Sequence, residues 1–78
     1  MTVEQVKTSK GYRQEIIATY AVRMSNEEIN NCKDLENTVK NAVLDVRPLN
    51  DNENYGFGRT SNTYFGSTFH VHIYKENK

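Results

Sequence analysis

Between Ser25 and Val46 apolar residues fall at Ile29, Cys32, Leu35, Val39, Ala42, Val43 and Val46. Steps of mostly three and four residues trace one face of a helix. Ser25 opens the stretch and Glu28 follows at capping-box spacing. Glu27 and Glu28 suit the positive end of the helix dipole, and Lys40 sits nearer its negative end. The pattern predicts a single helix from Ser25 to Leu44 that turns Cys32, Leu35, Val39 and Val43 toward a core. Pro48 disfavours helical backbone at Arg47, so the helix should stop before it.

Upstream the period changes to two. Ile16, Ala18, Tyr20, Val22 and Met24 alternate with Glu15, Ile17, Thr19, Ala21 and Arg23. This predicts a strand over Tyr12–Met24 whose first set faces the helix. Near the other end Phe69, Val71 and Ile73 alternate with His70, His72 and Tyr74, predicting a strand over Thr68–Lys75. A short strand is expected at Asp45–Leu49, at a sheet edge because Pro48 lacks a ladder donor. Strand, helix and strand in that order imply a parallel pair with a right-handed crossover. Residues 50–67 read as a loose hairpin, with a strand near 54–59 and a tip at Thr60-Ser61-Asn62-Thr63. Val3 and Val6 suggest a short helical turn within an N-terminal arm.

The expected fold is therefore α+β, of order β-α-β-β(-β), with one helix on one face of a three- or four-stranded mixed sheet. The divisions are a flexible arm over 1–11, one domain over 12–75 and a polar tail over 76–78. A chain of 78 residues holds one small core.

Ten basic residues balance ten acidic ones, so bulk charge draws the chain to neither nucleic acid nor membrane. The distribution is uneven. Residues 25–45 carry two basic and five acidic side chains, against four and two over 1–24 and four and three over 46–78. The helix is the acidic element. The single cysteine, Cys32, lies on the apolar stripe and is expected buried, in a reducing, cytoplasmic setting. No apolar run is long enough to span a membrane, and none after Met1 resembles a secretory signal. Ten Asn residues add a compositional association with small phage and mobile-element proteins.

Several groups have candidate chemistry. His70 and His72 are two apart on a strand, so both rings leave one face, a spacing that suits metal chelation. Only Glu15 is at hand as a further ligand, and no metal or other cofactor is expected. The run from Gly66 to His72 resembles the histidine-bearing strand of small toxin ribonucleases. Acid–base work on RNA by this pair would need Tyr74, Arg59 or Arg23 to steady a phosphate. Tyr55, Phe57 and Arg59 with Gly56 and Gly58 form an aromatic, basic, Gly-rich stretch. It either stacks on nucleobases or folds its rings back to cap the core. No Walker loop, nucleophilic triad or zinc array is present.

One helix covers one sheet face. The other face is expected to show Ile17, Thr19, Ala21, Arg23, Arg47, His70, His72 and Tyr74, a mixed surface suited to a partner. The residues point to a non-enzymatic binding module, a phage- or mobile-element-type inhibitor or accessory protein that occludes a larger protein. That partner could be a nucleic-acid-binding complex, contacted through Arg23, Arg47, His70, His72 and Tyr74. The alternative is a small RNA- or single-stranded-DNA-binding protein that adds Tyr55, Phe57 and Arg59. A small ribonuclease is the third reading, and a homodimer through the open face is compatible with the first.

Overall fold

The computed structural model describes residues 1–8 and 16–76. Its elements are β1 (Thr2–Val6), β2 (Ile16–Ser25), α1 (Asn26–Asn30), α2 (Leu35–Val46), β3 (Glu53–Thr63) and β4 (Gly66–Lys75). The four strands form one sheet in the order β1-β2-β4-β3, and every neighbouring pair is antiparallel. The class is α+β, as the hydrophobic pattern implied. The mixed sheet, the parallel pair and the crossover are not found. The reason is local: Asp45 and Val46 belong to α2, and residues 47–50 form an irregular link rather than a strand. Val3 and Val6, expected in a helical turn, sit in edge strand β1, opposite Val22 and Thr19. The portions of the expected arm, first strand and tail at 9–15 and 77–78 lie outside the described residues.

The predicted single helix is two. Ser25 caps α1 with a full capping box: its Oγ accepts from the Glu28 amide at 3.2 Å, and its own amide donates to Glu28 Oε1 at 3.0 Å. After Asn30 the chain turns, and Asp34 starts α2 by accepting the Asn37 amide at 3.2 Å. Cys32 falls in this turn. It is half-buried instead of fully buried, and its thiol donates to Thr38 Oγ1 at 2.9 Å.

α2 lies on one sheet face against β1, β2 and β4. Val39 and Val43 point into a core with Ala18, Tyr20, Val22, Met24, Val71 and Ile73, flanked by Val3, Ile29, Leu35, Leu49, Tyr55 and Phe69. The expected alternation of β2 holds from Ala18 to Met24. A bulge between Ile16 and Ala18 breaks it, so Ile16 pairs with Tyr74 and shares the face opposite the helix.

Arg47 ends α2 and grips Glu53 at the start of β3 through two bonds of 2.8 Å each. This pair closes the α2–β3 link. Arg47, with the Asn50 amide assisting, holds the Glu53 carboxyl down from the ordinary 4.5 to about 2. A depressed folded-state value means the pair's stabilisation is complete above the unfolded value and is lost as pH falls through the folded one. Glu53→Gln should therefore lower the urea midpoint at neutral pH. The gap from wild type should narrow from pH 4.5 downward and close near pH 2.

Candidate functional site

Residues directly opposite one another in an antiparallel sheet share a face, so the pairing registers map the face opposite the helices. Its central rows are Val6–Thr19–His72–Gly56, Glu4–Ala21–His70, and Thr2–Arg23–Thr68–Ser61. Its middle is closed. Thr19, Ala21 and His72 are buried there, with His72 only 7% exposed. Thr19 Oγ1 lies 2.9 Å from His72 Nδ1 and 3.1 Å from the Oγ1 of Thr8, which follows β1 and reaches across the face. From the other side, a bulge in β3 between Phe57 and Thr60 packs against the His72 ring. A Cβ at Gly58 would stand 2.2 Å from His72 Nε2, so any larger residue there would have to displace the packed imidazole. Burial, and then the neighbouring His70, push the His72 imidazole below its ordinary value. It is a neutral, packed side chain.

The remaining residues expected on this face have different settings. His70 is half-buried, and its Nδ1–H donates to the Arg59 carbonyl at 2.9 Å, a bond that braces the β3 bulge. Arg23 is exposed and pairs with Glu4 at 2.8 Å. Tyr74 is half-buried between Ile16 and Asn54. Arg47 is not on the sheet: with no strand at 45–49, it sits at the end of α2 in its ion pair with Glu53. Of the five, Arg23, His70, His72 and Tyr74 thus share this face, with His72 packed in its middle, and only Arg47 lies off it. No set of three or more His, Cys, Asp or Glu among the described residues is arranged to hold a metal.

Nor do Tyr55, Phe57 and Arg59 form a loop. All three are in β3. Tyr55 and Phe57 oppose Ile73 and Val71, so they lie on the core side of the sheet. Tyr55 packs against the core, meets Phe57 edge-to-face at 5.8 Å, and carries the Lys40 ammonium 5.8 Å from its ring centre. Tyr55 thus caps the core, whereas Phe57 stays 40% exposed and Arg59 is exposed in the bulge.

The most exposed aromatic surface lies elsewhere. β3 and β4 continue as an antiparallel ribbon to the pair Thr63–Gly66, and Tyr64 and Phe65 make the two-residue turn. Tyr64 is 88% exposed and Phe65 82%. Their rings stand edge-to-face, 5.3 Å apart at 85°. The turn is braced on all sides. Asn26 Nδ2 donates to the Tyr64 carbonyl at 2.8 Å, and the Asn26 amide donates to the Phe65 carbonyl at 3.4 Å. Thr63 Oγ1 donates to the Gly66 carbonyl at 3.0 Å, and Ser67 Oγ donates to Asn62 Oδ1 at 2.6 Å. At Gly66 a Cβ would come within 2.1 Å of the Met24 carbonyl oxygen, so glycine lets the ribbon lie tight on the end of β2. Two large rings are thus held in water on a turn whose backbone is hydrogen-bonded to Asn26.

Thr60–Thr63, the tip expected from the sequence, is instead strand, and the turn falls at this pair. The signal was available: Tyr64-Phe65 interrupts two alternating runs, and Gly66 begins the second. What hid it was the turn chemistry. Two-residue hairpin turns usually carry Asn or Gly at positive φ, whereas no non-glycine residue among those described has a positive φ.

No described helix is long and apolar enough to cross a membrane. Comparison with protein-family models, with curated proteins and with solved structures finds no match.

Proposed function

We propose that this chain is a non-enzymatic binding module that acts by occluding a larger protein, with the Tyr64–Phe65 tip as its anchor. The observation that carries this is the braced turn itself: two aromatic side chains, more than four-fifths exposed, on a backbone fixed by Asn26, Thr63 and Ser67. Leaving such rings in water is unfavourable, and burying them in a partner's pocket recovers the hydrophobic free energy. Little ordering entropy is lost, because the turn is already rigid. Aromatic anchors of this kind dominate protein interfaces. The contact surface is therefore the hairpin tip and not the sheet face, whose centre is packed. A phage- or mobile-element-type inhibitor or accessory protein in the cytoplasm is the setting that the Asn-rich composition and single cysteine support.

A protein partner fits the charge better than a nucleic acid. Glu27 follows Asn26 at the base of the tip and is exposed, and the chain carries no net charge. Capture from host lysate, with and without nuclease, separates the two. The captured protein should survive nuclease, and binding should fall only modestly from low to high salt. Loss of capture on nuclease treatment, with a steep log–log salt slope, would replace the protein partner with a nucleic acid stacked on the same rings.

A further inference from the structure

We propose that the chain also pairs with a second copy of itself, each hairpin tip seated in a cleft beside the α1–α2 turn of the other. This goes beyond the partner reading and uses the same two rings. The cleft measures about 630 Å³ and is lined by Met1, Met24 and Cys32, with Asn31, Lys33 and Asp34 among its polar side chains. It is a shallow cleft, open to solvent along most of its length, across which two edge-to-face rings can lie. Exposed Met1 and half-buried Cys32 offer sulfur to the rings, while Met24 is buried; thioether and thiol sulfurs make favourable contacts with aromatic edges.

Placement makes the contact reciprocal. Ser25 pairs with Gly66 at the foot of the tip, and Met24 pairs with Ser67 one step further along. Tip and cleft are therefore at the same end of the sheet. A two-fold axis beside that end brings each tip to the other copy's cleft and closes both contacts at once. Four rings at about 150–200 Å² each, with the surfaces that cover them, bury on the order of 1,200–1,600 Å², the size of a stable specific interface. Charge does not oppose it: the tip is uncharged and the chain has ten basic and ten acidic residues, so two copies do not repel as wholes.

Sedimentation velocity on the purified chain tests this without any other partner. The expected result is a dimer. Phe65→Ala, which removes a ring, and Asn31→Trp, which fills the cleft, should each raise the dimer dissociation constant by about tenfold or more. Lys33→Trp, at the same cleft, replaces Asn31→Trp if that variant does not fold. In a Tyr64→Cys variant, copper–phenanthroline in air should oxidise the introduced thiol and Cys32 of the other copy to an interchain disulfide. Peptide mapping should find that 32–64 link. A monomer at about 1 mM chain, a dimer indifferent to both ring loss and cleft filling, or a 64–64 link alone would overturn the pairing. A monomer that still captures a larger protein removes only this pairing. Failure of the Asn31→Trp monomer, whose rings are intact and free, to capture any larger protein removes only the partner reading.

Discussion

Ile73→Ala should lower the unfolding free energy by about 2–5 kcal/mol, the range for large-to-small truncation in a packed core. Ile73 is fully buried on β4, between Ala18 of β2 and Tyr55 of β3, and belongs to the cluster closed by Val39 and Val43 of α2. The layer is only one helix thick, so the cavity has few neighbours that can move in to fill it. A chain of 78 residues has a total stability of about 4–12 kcal/mol. The substitution therefore brings the domain close to its limit, and the urea midpoint should fall with the slope unchanged. Leu35→Ala, at the half-buried start of α2, should cost clearly less. Equal losses at the two positions would mean that the core is centred nearer the α1–α2 turn.

The second large effect is on binding. Tyr64→Ala and Phe65→Ala should each weaken binding to the captured partner by more than ~1 kcal/mol, and the double substitution should reach the ~2–4 kcal/mol of an interface hot spot. Neither should disturb the fold, because both side chains are more than four-fifths exposed and make no contact with the core cluster. Surface substitutions of this kind change stability by about 0.5 kcal/mol or less. The contrast with Ile73→Ala is the useful part: one position controls stability and the other pair controls binding. Arg23→Ala and Tyr74→Ala, on the face opposite the helices, should leave binding close to wild type. Isothermal titration with the purified partner, alongside urea denaturation, reads both quantities.

Much of the fold was legible where a period and a cap agreed. The capping box at Ser25 and Glu28, the inward set from Ala18 to Met24, and the alternation of Phe69, Val71 and Ile73 all appear as read. The errors arise where two signals compete. Asn30-Asn31 and Asp34 are a stop and a fresh N-cap inside an unbroken apolar stripe, and the stripe hid them. Pro48 suits an edge strand, but α2 runs on to Val46 and leaves Pro48 in a link. A strand there would place Arg47 on the sheet and make the topology parallel. Burial of the second face depends on Thr8 and on the β3 bulge at Gly58. Both are long-range contacts that no local period encodes. The same holds for the tip, whose exposure follows from Gly66 lying against the Met24 carbonyl and Asn26 holding the turn.

The most direct measurement is position-specific photo-cross-linking in the complex with the captured partner, with benzoylphenylalanine placed at Phe65 in one variant and at Tyr74 in another. The aromatic replacement keeps a ring at each site and adds only a short-range reactive ketone. Cross-links to the partner from position 65 and none from position 74 are the predicted result. Cross-links from position 74 with position 65 silent would place the contact on the sheet face and contradict the assignment of the hairpin tip.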